Sequence, residues 1–498
     1  MRLLLDANIF IYREDDLIIA DNIQKLSKKL SESNVQILVH PESLSELKKD
    51  KNQKRRDIML SKIQAYSFLE NPPKPGEDQT YLNLIGPDRK INDDVDNIIL
   101  YAVYRDAVDF LITEDRGIHK KASKLGIDNR VLLIDDALQI FEGYQDKLVA
   151  PPALNDEFVY NINLKDPIFD SLKDEYPEFK DWFEKISRKG RKCWVHYKEN
   201  GLIGAILIYK FEEGEINNTN PAFPLKKRLK ICTFKVTHVG QKIGELFIKL
   251  SIELSIKNNI SEIYLTHYTH EDDFLIDLIS EYGFYKSATT IRNEDLYLKK
   301  LVLDQNAETM PNPIEIAKRY YPSYYDGEDV TKFVVPINPK YHNKLFTDFS
   351  RRQSTLEEYD GSFIVEGNTI KKVYISRSKT KQISQGDIIL FYRSKDRRQI
   401  TSLGIVEEIH PEIENSDEII RLVTKRTVYS QKEIEDMKKP IAIILFIHHF
   451  HLKNPVKFDD LLEFDILLGP PQSITKISHD DYLKIKRLGG IDGRYTVN

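Results

Sequence analysis

Residues 230–259 read KICTFKVTHVGQKIGELFIKLSIELSIKNN. The first seven form an apolar, β-rich run, and from Gly244 onward the apolar residues recur at helical spacing, so a strand feeds a long helix through THVGQKIG. Consecutive backbone N–H groups at such a helix start form an anion site, and a glycine there lets the anion approach the backbone closely. Upstream, CWVHY and LIGAILIYKF read as two strands joined through Glu199, Asn200 and Gly201 in a hairpin. Downstream come the strand EIYLTHY, the helix FLIDLISEY and a closing GFYKSA. A mixed sheet around one long helix is the expected architecture of this central part.

The whole chain has 498 residues, more than the ~100–200 of one domain, so several independently packed cores are expected. With 41% hydrophobic and 30% charged residues, a mainly disordered chain is excluded. No stretch of about 18 apolar residues occurs, and MRLLLDANIF meets Asp6 too early for a signal-peptide core; no membrane association and a cytoplasmic location are expected. Two cysteines, Cys193 and Cys232, make neither a disulfide framework nor a zinc site and read as ordinary strand residues. A net charge of −5 gives no global pull on nucleic acid, so any such surface must be local. Proline- and glycine-marked breaks divide the chain into residues 1–142, a linker 143–158, residues 159–300, a linker 301–313, and residues 314–498.

The first segment alternates strands and helices: RLLLD, a helix carrying Ile19, Ile23, Leu26 and Leu30, then VQILV, FLIT and RVLLID. That order predicts a parallel α/β sheet. Asp6 ends the first strand, Glu46 follows the second, Asp96 lies near a helix start and Asp115 follows FLIT. Strand C-termini share one edge in such a sheet, so these carboxylates can converge. Gathered together they need a cation, and hard oxygen ligands select Mg²⁺ or Mn²⁺, which can activate water against a phosphodiester. Taken singly, each aspartate is equally a turn former or helix cap, and Glu42, one helical turn before Glu46, is a rival for its place.

The motifs LLLDANIF, PESLSEL and DDVDNIILYAVYRDAVDFLITEDRGIHKKA resemble the PIN domain family over this whole segment. The resemblance implies a metal-dependent ribonuclease with Asp6, Glu46, Asp96 and Asp115 as both catalytic and metal-binding residues. Asn8 would support the first ligand, and Asp93 or Asp94 would assist Asp96. The basic run KKDKNQKRR after Glu46 is either a phosphate track or a solvated helix face.

The central order of elements resembles the GNAT acetyltransferases over residues 159–300. This implies that Val239, Gly240, Gln241, Lys242, Ile243 and Gly244 cradle the pyrophosphate of acetyl-CoA. The family's basic position is Val239 here and its first glycine is Lys242, so only the last glycine, Gly244, is kept. Where many relatives carry a tyrosine as general acid this chain has Ile279, leaving Tyr282 or Tyr285 as substitutes or as core aromatics.

From YYPSYYDGED onward, KVYISRSKTKQISQGDIILFYRS, TSLGIVEEI and PPQSITKI resemble PUA-like domains of the ASCH and EVE type, implying a β-barrel that binds RNA. Arg377, Lys379, Arg393, Lys395, Arg397 and Arg398 can meet phosphates, and Tyr374 and Tyr392 offer stacking faces or fill the core. His448, His449 and His451 gather at a strand end, too few for a metal site, and are expected to face solvent. The expected whole is a multidomain α/β and α+β protein: a PIN-like parallel-sheet ribonuclease, a GNAT-like N-acyltransferase and a PUA-like barrel, toxin-like in character. Its partners would be RNA, an amine as acyl acceptor, and an antitoxin or regulatory protein. Two alternatives stand beside it: an acetyltransferase with an inactive PIN-like scaffold, and a non-catalytic RNA-binding adaptor.

Overall fold

The computed structural model describes every residue except 7–8, 10–22, 24, 27, 31–34, 49–52, 54–55, 57–59, 61–62, 64–65, 77, 87–92, 143–152, 199, 238–241, 272, 304–310, 350–361, 365–368, 378–381, 424–425, 427–428 and 430. The side chains of Glu46 and Asp93 are likewise outside the described set. The chain forms two units, Met1–Lys147 with Ile413–Lys439, and Leu148–Glu412 with Pro440–Asn498.

The first unit is built on β1 (Arg2–Leu5), β2 (Gln36–Val39), β3 (Ser67–Phe68), β4 (Phe110–Ile112) and β5 (Val131–Leu132). They form a five-stranded sheet in the order β3-β2-β1-β4-β5. Every pairing in it is parallel. Leu3, Leu4, Phe110, Leu111 and Ile112 are all fully buried, the continuous apolar run that a strand covered on both faces requires. Helix α1 (Asp93–Tyr104) packs Ile99, Leu100 and Val103 against Leu4 and Leu111. Helix α2 (Arg116–Lys124) adds Ile118 and Ala122 to the same core. The expected parallel α/β architecture is therefore present.

One piece of this unit comes from far along the chain. The helix Ser416–Val423, expected inside the C-terminal module, belongs here. The Arg421 guanidinium pairs with Asp106 at 3.5 Å and Asp109 at 3.4 Å, and the Arg421 backbone carbonyl accepts from Asn129 Nδ2 at 2.8 Å. Within the expected span 314–498, Ile413–Lys439 thus cluster with the first unit.

The second unit holds β6 (Ala153–Phe158), β7 (Lys192–Tyr197), β8 (Ile203–Ile216), β9 (Thr219–Asn220), β10 (Phe223–Val236), β11 (Glu262–His267), β12 (Tyr285–Thr290) and β13 (Asp295–Lys300). Helix α3 (Ile243–Lys257) follows β10, and α4 (Phe274–Glu281) follows β11. The short β14 (Tyr324–Tyr325), β15 (Lys332–Ile337), β16 (Ser362–Ile364), β17 (Lys371–Ser376), β18 (Ile388–Arg393), β19 (Gln399–Ile413), β20 (Ile441–Lys457), β21 (Thr475–Ile477) and β22 (Thr496–Val497) complete the strands. The hairpin expected through Asn200 and Gly201 joins β7 to β8, with Gly201 at φ +79° in the turn.

Strand β6 lies in the span expected as the first linker. Leu154 is buried but Asp156 and Phe158 face solvent, so its sequence lacks the apolar alternation that marks a strand. The central sheet has nine strands in the order β16-β6-β7-β8-β10-β11-β13-β12-β9. Its edge strand β16 comes from beyond residue 314 and pairs antiparallel with β6. A six-stranded sheet runs β17-β20-β19-β18-β15-β21. Among the described strands no pairing joins β17 to β21, so the expected barrel closure is not shown. One apolar cluster includes Leu207, Phe247 and Ile263 around the first sheet and Leu390, Tyr324 and Tyr482 around the second, which is why the two sheets form one unit rather than two.

Candidate active site

The central sheet contains one parallel pair, β10 with β11, and its ladder is short. Leu229, Lys230 and Ile231 pair with Ile263, Tyr264 and Leu265. Beyond Ile231, β10 continues to Val236 on its β8 side, with a register shift between Ile231 and Thr233. β11 pairs with β13 on its other edge along its whole length, as far as His267 opposite Asp295. The two strands therefore part company after Ile231 and Leu265, and the residues from Cys232 to Val236 continue as strand on one side only. At the end of β10 the chain enters α3 through Lys242, whose φ of 52° is left-handed.

His267 ends β11 on this side of the sheet. Its Nε2 lies 2.6 Å from Asp273 Oδ2, so with the carboxylate ionised Nε2 donates and Nδ1 is left as the acceptor nitrogen. Asp273 is also the N-cap of α4, accepting from Leu275 N at 3.1 Å. Burial alone would raise its pKa, but the bond to His267, that ring's charge and the amides of His270 and Ile276 pull it below the usual carboxylate range. Thr269 Oγ1 donates to Asp295 Oδ2 at 2.9 Å and shares a hydrogen bond with Tyr297 Oη at 2.8 Å. A histidine oriented by a carboxylate can take a proton from a nucleophile. Sequence reasoning missed this pair; the only signal was the polar run THYTHEDD, placing a histidine at a strand end and an aspartate at the next helix cap.

Of the cofactor loop, Val239, Gly240 and Gln241 lie outside the described residues. Ile243 is buried in the core. Gly244 was expected to let a pyrophosphate approach, yet a Cβ there would meet Leu278 Cδ2 of α4 at 2.5 Å, so close packing of α3 on α4 already demands a glycine. Ile279 is fully buried, and Tyr282 is buried too, with the Lys371 ammonium 5.8 Å from its ring centroid; Tyr285 is half-buried. Cys193, pushed up to about 12 by burial, is the ordinary strand residue expected.

In the first unit, Asp6 stands at the end of β1 and Asp115 just past β4, neighbouring strands of the sheet. Thr113 links the two: its Oγ1 donates to Asp6 Oδ2 at 2.5 Å and accepts from the Asp115 backbone N–H at 2.9 Å. Asp115 also caps α2 through Ile118 N at 3.2 Å, the alternative role weighed for a single aspartate. Asp96 is half-buried in the first turn of α1. Among the described residues no group of three or more His, Cys, Asp or Glu side chains stands together as a metal site, and Glu46 cannot be counted because its side chain is not described. Of the expected four-carboxylate set, Asp6 and Asp115 are thus linked through Thr113 at neighbouring strand ends, and the Glu46 side chain lies outside the described residues.

The β-rich half corrects several expectations. Tyr374 is buried with its hydroxyl donating to the Pro336 carbonyl at 2.6 Å, and Tyr392 is 1% exposed, so neither presents a stacking face. Arg393 is buried and neutralised by Asp396, its Nε 2.9 Å from Oδ1. Lys395, Arg397 and Arg398 are exposed in the turn after β18, as is Arg377 after β17, while Lys379 lies outside the described residues. His448, His449 and His451 are all buried, because β20 is a central strand covered on both faces. His451 Nε2 lies 2.9 Å from Asp348 Oδ1, and Ser402 Oγ meets His451 Nδ1 at 2.9 Å.

No family model matches the chain, and no curated protein does. Among solved structures, the ASCH protein from Zymomonas mobilis is similar at 16% identity, over 32% of this chain and 94% of that one, with a TM-score of 0.24. The PaiA N-acetyltransferase from Thermoplasma acidophilum in complex with coenzyme A matches at 12% identity, over 27% and 87%, with a TM-score of 0.19. AtaT complexed with acetyl-methionyl-tRNAfMet matches at 8% identity, over 30% and 94%, with a TM-score of 0.23. Likenesses of this size define neither the activity nor the partners of this chain. No helix among the described residues is long and apolar enough to cross a membrane.

Proposed function

We propose that residues 153–300 are an acyl-CoA-dependent N-acyltransferase, and the observation that carries this reading is the parting of β10 from β11 with α3 starting at the end of β10. A strand whose ladder stops on one side offers backbone N–H and C=O groups to an extended chain of amides, the chemistry of a pantetheine arm. The start of α3 supplies amides to a pyrophosphate. Lys242 and Ile243 would hold that end, and bound acetyl-CoA would supply a thioester-activated acetyl group.

His267 then has the role of general base. Its Nδ1 takes a proton from the incoming amine as the nitrogen–carbon bond forms, while Asp273 keeps Nε2 protonated and stabilises the imidazolium. As the carbon–sulfur bond breaks, the same proton can pass to the departing sulfur. The balance closes without the tyrosine that Ile279 replaces. Calorimetric titration of acetyl-CoA into the full chain should show one site, and an amine panel of small amines, peptides and aminoacyl-tRNA should yield an acetylated product by mass spectrometry. A folded chain that gives neither heat nor product refutes the proposal.

A second reading concerns residues 1–142. Strands β1 and β4 flank the point where the sheet order reverses, the place where open α/β sheets bind ligands, and Asp6, Thr113 and Asp115 are there. This favours phosphodiester hydrolysis of RNA by this unit, and the described carboxylates do not by themselves form a group that would hold Mg²⁺ or Mn²⁺. RNA as a partner of the β-rich half rests on the exposed Arg377, Lys395, Arg397 and Arg398. Incubation with mixed RNA, with and without Mn²⁺, separates cleavage from binding, and equal cleavage in EDTA would exclude a metal role.

A further inference from the structure

Two buried charges on α3 do not face the cofactor slot. Glu245, in the first turn of the helix, is 8% exposed, and its Oε1 accepts from the backbone N–H of Ile370 at 2.7 Å and of Lys371 at 3.2 Å. One turn later Lys249, 4% exposed, places Nζ 3.0 Å from Asp348 Oδ2. Asp348 Oδ1 in turn faces His451, which meets Ser402. Burial works against the charge on Asp348, yet His451 and Lys249 hold its carboxyl well below the usual range. The helix that begins at the cofactor slot is therefore fastened, on its far side, to β17 and to the buried interior of the six-stranded sheet.

An anionic side chain in the first turn of a helix competes with an anionic ligand for the same positive end of the dipole. If Glu245 were free it would repel a pyrophosphate at the start of α3. Its carboxylate instead accepts from the amide of Ile370, just before β17, and of Lys371, the first residue of β17, so the acidic group is turned to the neighbouring sheet and the first turn of α3 is tied to it. Both amides belong to the strand entry at 370–371, where the peptide donors are fixed by the ladder of β17 with β20.

We infer that Glu245 is a positioning residue for acyl-CoA binding and that β17 is a working part of the cofactor site, which couples the β-rich half to the transferase. The inference rests on the acyltransferase reading. Coupling between two sites is reciprocal in binding free energy, so each side should report on the other.

The test uses the full chain, acetyl-CoA as probe, and the variants Glu245→Ala and Glu245→Gln. Glu245→Gln keeps the Oε1 acceptor and should bind acetyl-CoA within about twofold of wild type, whereas Glu245→Ala should bind on the order of tenfold more weakly, the effect of a coupling of ~1.4 kcal/mol. In wild type, saturating acetyl-CoA should slow hydrogen exchange of the Ile370 and Lys371 amides, and in Glu245→Ala it should not. A merely structural glutamate would change stability without making those two amides respond to the ligand. Equal acetyl-CoA affinity of wild type and Glu245→Ala overturns the inference and leaves the acyltransferase reading standing. Should Glu245→Ala not fold, unchanged exchange at 370–371 in ligand-saturated wild type overturns it as well. A folded wild type that binds no acetyl-CoA overturns both.

Discussion

His449 makes the second unit acid-labile in a way that can be worked from its surroundings. Its Nδ1 donates to the Pro322 carbonyl at 3.0 Å, its Nε2 is buried with no hydrogen-bond partner among the described residues, and the Tyr321 and Tyr324 rings pack at centroid distances of 5.0 and 5.4 Å. Burial drags its pKa from 6.5 to about 4, with Lys299 adding to the drop and the Pro322 carbonyl opposing it. The unfolded chain therefore binds a proton between pH 6.5 and 4 that the folded chain refuses, and stability falls as pH falls through that window. At pH 4.5 the loss from this one ring is roughly 2.5 kcal/mol, from 1.36 kcal/mol per pKa unit. His449→Asn keeps a donor in the place of Nδ1 and removes the titrating group. It should start on the order of 1–2 kcal/mol less stable at pH 7 through lost packing, and should lack about one proton's worth of the acid slope. Urea unfolding followed by tryptophan fluorescence reads the correct unit, since the only two tryptophans, Trp182 and Trp194, both lie in it. His342 and His448 stay in both proteins, so their contribution cancels in the difference. If wild type and His449→Asn lose stability in parallel from pH 7 to 4.5, the burial argument is wrong.

Further outcomes follow from single contacts. Asp273→Asn keeps the helix cap but loses the charge that sets the His267 tautomer, so turnover should fall on the order of 10²-fold in a steady-state assay while calorimetry finds acetyl-CoA affinity unchanged. Gly244→Ala should destabilise the second unit by roughly 1–3 kcal/mol through the 2.5 Å approach to Leu278, and adding Leu278→Ala should recover part of that loss in denaturant titrations; no recovery would show that the glycine serves another purpose. Arg421→Ala removes ion pairs to Asp106 and Asp109 and should lower the stability of the first unit by about 0.5–1 kcal/mol, with less effect in high salt. Asp6→Asn replaces the carboxylate that accepts from Thr113 and should destabilise the first unit, as read by its melting temperature; a gain would mean that carboxylate repulsion dominates there.

What sequence alone determined here is what local pattern encodes. The unbroken apolar runs of β1 and β4 announced a parallel sheet, and KICTFKV followed by a fifteen-residue helix announced the strand–helix step of the central sheet. Asp6 and Asp115 were legible as strand-end carboxylates for the same reason. The bond from Thr113 to Asp6 was not, because a hydrogen bond across 107 residues leaves no periodic trace. Only the tertiary structure showed β6 as a strand and set β16 beside it at the edge of the central sheet, since the partners supply the ladder that the residues of β6 do not advertise. It also decided that Tyr374, Tyr392 and the three histidines of β20 are interior, because alternation reports that two faces exist and not whether both are covered. Glu245 and His267 became functional candidates only through partners on other elements, Ile370 and Asp273, and a pairing of that kind is a property of packing rather than of spacing.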